Sequence, residues 1–414
     1  MTLPFPSADR SPLTSDELAS IRRPYRSAHL LPGRVFHDPA VLAWETENFF
    51  AKDWLVVGRA EEAPENGSYF LVDVACENIV IVRGRDGELR AFYNVCRHRG
   101  TAVAEEPRGT VVRFQCPYHA WIYDLDGSLV RAKHLEDLED FDVTDFGLRP
   151  VRVAIWQGWV FLCLSDETPP LEDFLGDWIA HHADRDMTGL RRAGRLVYDV
   201  KANWKIIAEN YSECYHCPGV HPLLNRLTPY DLGGDWYPTG PWKGGWMPLD
   251  EGYDTMSMDG SRNGRPLLPF TTPEDDRKIL YHILWPNLIL SIHPDYVLAH
   301  HTWPVAAGLS RVYCDLYVTE ETLAAGFSVA DALEFWNLTN EQDYRVCEMQ
   351  QAGTSSTIAV ISASEYWSIR TGSVSDMTPP EAQILIWSAP RRSSWRAARR
   401  TSSTPSAIRA NSPG

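Results

Sequence analysis

Tyr93-Asn94-Val95-Cys96-Arg97-His98-Arg99-Gly100 and Cys116-Pro117-Tyr118-His119-Ala120-Trp121 are separated by 17 residues between His98 and Cys116, and together they make a Cys-x-His pair and a Cys-x-x-His pair. Two thiols and two imidazoles on two loops can close a tetrahedral zinc site or hold a two-iron cluster. Structural zinc usually spaces its first pair by about two to four residues so that both reach one metal. A single intervening residue suits ligands directed to two different irons.

Around these loops the chain alternates as strands do, from Trp54 to about Leu164: Tyr69–Val72, Ile79–Val82, Leu89–Tyr93, Val111–Phe114 and Trp159–Leu162. Asp86-Gly87 and Asp126-Gly127 are hairpin signals between such runs, so a small all-β domain is expected. Upstream lies a Pro-, Ser- and Arg-rich lead with a short helix opened by Thr14 or Ser15. Asp38-Pro39 then reads as an N-cap and first helical residue, with Val41, Leu42, Trp44, Phe49 and Phe50 as the apolar stripe. Past Pro169-Pro170, helices (Leu171 to Asp184, Trp204 to Cys217, Val329 to Ala352) mix with strands (Leu196 to Val200, Tyr281 to Leu284, Leu288 to Ile292, Val297 to Trp303, Arg311 to Val318). That pattern predicts an α+β domain with a largely antiparallel sheet. Gly233 to Pro269 has no clear period and reads as a long loop, which in an ordered domain is usually functional.

The second constellation is Glu213-Cys214-Tyr215-His216-Cys217-Pro218-Gly219-Val220-His221-Pro222. Trp204, Ile207, Ala208 and Tyr211 support a helix that Pro218-Gly219 should end, which puts Glu213 and His216 on one face and His221 in the following turn. Two histidines and a distant carboxylate are the makings of the facial triad that holds non-haem Fe(II) and leaves positions open for dioxygen and substrate. The two-histidine spacing alone is equally at home in a core or on a surface.

Both blocks resemble the motifs of Rieske non-haem iron oxygenase α subunits, the family of aromatic ring-hydroxylating dioxygenases, choline monooxygenase and glycine betaine demethylase. The resemblance covers about residues 35 to 353. It implies a [2Fe–2S] cluster with Cys96 and Cys116 on one iron and His98 and His119 on the other. It also implies mononuclear Fe(II) on His216 and His221, and a third ligand on the late helix around Gln342-Asp343-Tyr344, which places it at Asp343 with Glu341 and Glu348 as the competing acids. Glu213 is similar in position to the carboxylate that bridges the cluster histidine of one subunit to the iron site of its neighbour, so an electron path from His119 through Glu213 to His216 is implied. The implied fold is α+β: a small all-β Rieske domain and an antiparallel-sheet catalytic domain with a long helix, of the helix-grip, START-like kind, usually in a homotrimer. The corresponding organisation is a helical lead over 1–50, the Rieske domain over 51–165, the catalytic domain over 166–387 and a basic, disordered tail over 388–414. No segment resembles a nucleotide- or flavin-binding domain, so electrons from NAD(P)H are expected through a separate flavin or iron–sulfur reductase, with O2 and a small molecule as substrates.

Bulk properties agree with an enzyme of that kind. The chain has 414 residues, 44% of them apolar, and a net charge of −16, which repels phosphate backbones and anionic lipid. Neither nucleic acid nor membrane is an expected partner, and the cytoplasm is the expected compartment. The eight cysteines are too sparse for a disulfide framework; Cys163, Cys214, Cys217, Cys314 and Cys347 are expected as buried thiols, and His293, His300 and His301 as satisfied structural histidines. From Ser355 to Gly414 the sequence turns Ser-, Ala- and Arg-rich where the family usually continues with an acidic, aromatic helical stretch, and a reading-frame change in the source gene is the expected cause.

Within the family, substrates are aromatic rings or the methyl groups of small amines, quaternary ammonium compounds among them. Glu213, where ring hydroxylators more often carry Asp, and the Glu-Cys-Tyr-His-Cys string resemble the quaternary-ammonium branch, so hydroxylation or oxidative N-demethylation of a betaine- or choline-like compound is expected. The alternatives are an aromatic ring-hydroxylating dioxygenase α subunit and a non-catalytic Rieske electron carrier. Trp236, Tyr237, Trp242, Trp246 and Tyr253 could furnish an aromatic cage for a permanent cation; the plainer expectation is that they pack against the core or a subunit interface.

Overall fold

The computed structural model describes residues 11–23, 31–133, 141–236 and 238–356, so the basic tail and Tyr237 lie outside the described residues. Its first elements follow from their caps. Thr14 accepts from the Glu17 amide while the Glu17 carboxylate accepts from the Thr14 N–H, a closed capping box that starts α1 (Ser15–Ile21). Asp38 accepts from the Ala40 amide at 2.8 Å, and Pro39 opens α2 (Pro39–Glu45). A π-turn over Thr46–Phe50 then carries Phe49 and Phe50 into the core.

Ten strands build the next unit: β1 (Leu55–Arg59), β2 (Ser68–Val74), β3 (Glu77–Arg83), β4 (Leu89–Tyr93), β5 (Arg108–Thr110), β6 (Phe114–Gln115), β7 (Ile122–Tyr123), β8 (Leu129–Arg131), β9 (Pro150–Trp156) and β10 (Trp159–Cys163). Seven form an antiparallel sheet in the order β1-β10-β9-β4-β3-β2-β5, and β6, β7 and β8 form a small ladder beside it. The expected strand Val111–Phe114 keeps only Phe114. The amide of Val111 still bonds the Gly67 carbonyl at 3.0 Å, one step past the last β2–β5 pair, and the chain then bends at exposed Val112 and Arg113 toward the second loop.

The helix expected over Leu171 to Asp184 is two, α3 (Leu171–Leu175) and α4 (Trp178–His181), broken at Gly176 with φ of +58°. The second sheet is antiparallel in the order β11-β17-β16-β15-β14-β13-β12, from β11 (Leu190–Val200), β12 (Gly234–Trp236), β13 (Trp242–Pro248), β14 (Lys278–Leu284), β15 (Leu288–Ile292), β16 (Val297–Ala306) and β17 (Leu309–Thr319). β12 and β13 occupy part of the expected long loop. Gly244 and Gly245 erase the apolar alternation there, and at Gly244 a Cβ would lie 2.5 Å from the Tyr281 carbonyl oxygen, so the pairing of β13 with β14 is close enough to need glycine. Leu280, Leu284, Trp242 and Trp246 pack on one face of this sheet with α3 and α4; Ile279, Tyr281 and Met247 pack on the other.

That second face is covered by α5 (Trp204–Tyr211), α6 (Cys217–Val220), α7 (Pro222–Leu227) and the 25-residue helix α9 (Ala330–Thr354), which follows a short α8 (Glu320–Ala324). Ala332, Phe335, Trp336, Thr339, Asn340 and Cys347 of α9 are buried, a stripe at helical spacing that also contains position 343. The two units share buried joints. Glu45 takes the Lys205 ammonium at 2.7 Å and the Trp204 indole N–H at 2.9 Å, and the Asn287 side chain pairs with the backbone of Val56. The lead segment, α5 and β3 therefore belong to one apolar cluster. No helix among the described residues is long and apolar enough to cross a membrane.

Candidate active site

The two cluster-motif loops have the same backbone. The Cys96 amide bonds the Thr101 carbonyl at 2.8 Å and the Gly100 amide returns to Cys96 at 3.0 Å; the Cys116 amide bonds Trp121 at 2.8 Å and the Ala120 amide returns to Cys116 at 3.0 Å. The fourth residue after each cysteine has positive φ, +79° at Gly100 and +56° at Ala120. Each loop thus buries its cysteine and swings its histidine outward: Cys96 and Cys116 are 2% exposed free thiols, while His98 and His119 are exposed with ring centroids 4.5 Å apart. His98 stacks on Trp121 at 4.9 Å. The Tyr123 hydroxyl lies 3.2 Å from Cys96 Sγ and accepts from the Arg97 amide at 2.9 Å. Burial raises the Cys96 thiol, with the neighbouring Cys116 adding to it. Two thiols facing each other inside and two imidazoles at the surface fit a cluster with one iron buried and one outward.

The second constellation reaches its geometry by another route than a continuous helix. α5 stops at Tyr211, because the Glu213 carboxylate takes the Tyr215 amide at 2.5 Å and a Cys214–Cys217 disulfide ties the next turn. Pro218 then lies in the first turn of α6, where its missing N–H costs nothing, instead of ending a helix. Cys214 and Cys217 are thus paired and not free thiols, whereas Cys163, Cys314 and Cys347 are buried and free.

On this turn His216 and His221 meet Asp343 from α9. Asp343 Oδ1 lies 2.8 Å from His221 Nε2 and 3.3 Å from His216 Nε2. The remaining nitrogens are held from behind: Glu213 Oε1 is 2.7 Å from His216 Nδ1, and Gln342 Oε1 is 2.8 Å from His221 Nδ1. Of the competing acids, Glu341 is exposed and accepts from Asn337, and Glu348 accepts from the Lys201 amide. Burial disfavours a charged His216, but the Asp343 and Glu213 carboxylates outweigh it and hold the imidazole up at about 9; the same contacts hold Asp343 below the usual carboxylate range against its own burial. Nδ1 partners fix both Nε2 atoms toward one point, the arrangement that orients histidines on a metal. Two imidazoles and a carboxylate on one side of an open space fit a facial triad.

That space is a cavity of about 390 Å³ lined by Tyr211, Tyr215, Tyr230, Trp246, Tyr281 and Trp336 together with Glu213, Lys243 and Asp235. Buried Lys243 donates to the Ser212 carbonyl at 3.2 Å, and burial pulls its ammonium down to about 8 against the attraction of Asp235 and Glu213. The residues of the expected aromatic cage are divided. Trp236, Trp242 and Trp246 pack on the far face of the sheet, Trp246 also bordering the cavity, and Tyr253 packs into the core under α7. His293, His300 and His301 are buried, yet both nitrogens of His293 and Nδ1 of the other two have no hydrogen-bond partner among the described residues; His293 instead stacks on Tyr296 at 4.0 Å. Gln342 and Lys243 were missed by sequence reasoning. Gln342 sits beside Asp343 in the Gln-Asp-Tyr step, whereas a lysine between Trp242 and two glycines carries no local signal.

Comparison with known proteins agrees with both constellations. Residues 53–142 match the family Rieske [2Fe-2S] domain, and residues 187–378 match the family Ring hydroxylating alpha subunit (catalytic domain), a span that runs on past Gly353. The glycine betaine monooxygenase oxygenase subunit of Chromohalobacter salexigens is 32% identical over 388 residues, 86% of each chain. The carnitine monooxygenase oxygenase subunit of Escherichia coli K12 is 30% identical over 343 residues, covering 80% of this chain and 86% of the other. Among solved structures, the quaternary ammonium Rieske monooxygenase CntA in complex with L-carnitine superposes with a TM-score of 0.68 at 27% identity over 83% of this chain and 90% of that one. Naphthalene 1,2-dioxygenase, at 21% identity and a TM-score of 0.65 over 81% of this chain and 82% of that one, shares the fold.

Proposed function

The chain belongs to the Rieske non-haem iron oxygenase α subunits, and from that premise we propose that it is the terminal oxygenase of a quaternary-ammonium monooxygenase, acting on a small zwitterion that carries a permanent cation and a carboxylate. The observation that carries this reading is the meeting of His216, His221 and Asp343 at 2.8 to 3.3 Å on the wall of a cavity that also presents Lys243. Cys96, His98, Cys116 and His119 hold the [2Fe–2S] cluster, and His216, His221 and Asp343 hold mononuclear iron. When bound, the iron activates dioxygen with electrons passed on from the cluster. One oxygen atom enters a methyl C–H bond and the other leaves as water; the resulting N-hydroxymethyl group breaks its C–N bond to give formaldehyde and the demethylated amine.

The residues of the chain do the remaining work. Aromatic walls take the ammonium methyls by cation–π attraction and exclude water. Lys243 receives the carboxylate, and Asp235 on the same wall completes a charge pattern that complements a zwitterion better than an apolar arene. Glu213 holds His216 on one side and carries the electron path toward a partner subunit's cluster, whose histidine edge is exposed in each chain. That path needs a second copy of the chain, in keeping with a homotrimer or higher homo-oligomer, and the electrons come from a separate NAD(P)H-dependent flavin or iron–sulfur reductase.

Metal and sulfide analysis of anaerobically purified protein, with EPR of the reduced state, tests the site; O2-dependent formaldehyde release from glycine betaine, carnitine and choline, against formation of ring-hydroxylated product from naphthalene, tests the substrate. Three irons and two sulfides per chain with release from the betaines are expected. Two irons and two sulfides, with no further iron after reconstitution, would identify an electron carrier. Oxidation of naphthalene in preference to the betaines would identify a ring hydroxylator.

A further inference from the structure

On the sheet face packed against α3 and α4, three histidines converge, of which His282 also borders the catalytic cavity. His181 and His182 end α4, His282 stands at the middle of β14, and one ring nitrogen of each lies within 4.8 Å of the other two. His182 and His282 are 0% and 1% exposed, and His181 is half-buried. Burial disfavours the charged form of all three imidazoles.

The tautomers of His182 and His282 are set from behind. His182 Nδ1 donates to the Trp178 carbonyl at 3.0 Å and His282 Nδ1 to the Leu290 carbonyl at 3.3 Å. Each Nε2 therefore carries a lone pair. His181 Nε2 lies 3.1 Å from His282 Nε2, one N–H serving that pair, while His182 Nε2 is buried with no hydrogen-bond partner among the described residues. A buried imidazole nitrogen left without a partner is costly unless something else meets it. Backbone carbonyls on Nδ1 and lone pairs on Nε2 are how metal-ligating histidines are commonly oriented.

The surroundings hold this geometry. Trp178, Trp236 and Trp242 pack round the rings, with Trp236 stacked on His282 at 5.1 Å, and Asp177 fastens α4 to β13 through the Trp242 indole N–H at 2.7 Å. Gly244 makes room: a Cβ there would come within 3.2 Å of His282 Cδ2 and 3.1 Å of Trp236. The nearby Arg185 opposes a cation, but its guanidinium is bound by Asp184 and Asp275, each at 2.8 Å.

We propose that His181, His182 and His282 form a second metal site, a tris-imidazole site for a divalent ion of the zinc class that clamps α4 to β14. Neutral imidazole suits zinc, copper, nickel and iron, and three histidines with a solvent-facing fourth position is an established zinc geometry. Zn–N bonds of about 2.05 Å require nitrogens about 3.4 Å apart, a modest ring rotation from the spacing here. The side of half-exposed His181 gives the ion its way in. This inference stands independently of the oxygenase substrate.

Full-length protein carrying its iron and sulfide is dialysed against a buffered Zn²⁺ series, and zinc, iron and sulfide are measured together. One zinc per chain is expected with no loss of iron, and Co²⁺ in its place should show the visible bands of a four-coordinate ion. His182→Gln and, separately, His181→Gln should each weaken zinc binding by more than about 100-fold, beyond the roughly 10–100-fold cost of losing a partner behind a ligand. Iron and sulfide should stay unchanged in both. The more exposed His181→Gln carries the test should His182→Gln fail to fold. Zinc retained only as iron is lost, zinc bound equally by the variants, or no zinc held at micromolar concentration would each overturn the proposal.

Discussion

In the β domain four donors come from two loops that copy each other's backbone within the 24 residues from Cys96 to His119; in the catalytic domain His221 and Asp343 lie 122 residues apart and meet only because a turn and a long helix pack on the same sheet face. The first arrangement is local, so each loop can be formed before the domain is complete. The second is tertiary, and it depends on α5, the Cys214–Cys217 turn and α9 all being in register. Changes at the loops should therefore be confined to the cluster, whereas changes at the joints of the catalytic domain should travel.

The sharpest break of the comparison removes one donor from each side. Cys116→Ser should abolish the cluster and its EPR signal. Asp343→Ala should abolish retained mononuclear iron while the cluster signal remains, and substrate turnover should fall by at least roughly 1,000-fold, about 4 kcal/mol, in both. Loss of the cluster signal in Asp343→Ala would show that the two regions are not separable.

The next effect tests the joint between them. Lys205 is 3% exposed and its partner Glu45 is 0% exposed, so burial raises Glu45 and lowers Lys205 while their mutual attraction opposes both shifts. Lys205→Met leaves Glu45 buried with only the Trp204 indole, and should cost about 3–5 kcal/mol in denaturant unfolding. Because the pair joins the lead helix to α5, iron retention should weaken with it while the isolated cluster spectrum stays the same.

Legibility followed the same division. Cys96, His98, Cys116 and His119 could be read directly, since their spacing is fixed by the loops that carry them, and β4 and β15 begin and end where the apolar runs do. His216, His221 and Asp343 could be read as residues but not as a structure. The pattern of α5 ran on past Tyr211 because nothing in Glu213-Cys214-Tyr215 shows that a carboxylate will capture a backbone amide or that two cysteines will pair. The β12–β13 hairpin was hidden by glycines whose value is close approach to β14, and that depends on a partner strand distant in sequence. The same long-range packing separated the aromatic residues of that region, sending Trp236 and Trp242 to the face opposite the cavity.

Smaller effects sharpen the catalytic side. Glu213→Gln keeps a hydrogen bond to His216 but removes the charge, so iron should be retained while reoxidation of the reduced cluster in single turnover slows by about 100-fold, roughly 2.7 kcal/mol. Glu213→Asp should recover part of it. An unchanged reoxidation rate would remove Glu213 from the electron path. Lys243→Met should raise KM for glycine betaine by roughly 10–100-fold, the worth of a charged hydrogen bond of about 1.5–3 kcal/mol, and leave choline, which has no carboxylate, nearly unaffected. Equal losses for the two would mean that Lys243 shapes the cavity without reading the carboxylate.

The smallest effect belongs to the local side. Tyr123 OH accepts from the Arg97 amide and so directs its own proton at Cys96 Sγ, 3.2 Å away. A donor to a cluster sulfur favours the reduced, more negative state, so Tyr123→Phe should lower the reduction potential. A hydrogen bond worth about 1 kcal/mol corresponds to roughly 40 mV for a one-electron couple. Protein-film voltammetry should find that shift with the iron content unchanged, because the hydroxyl bonds Cys96 and Arg97 of the first loop, inside the β domain. A shift accompanied by loss of mononuclear iron would mean instead that the loop is held by the catalytic domain, and the independence of the two regions would fail at its most local point.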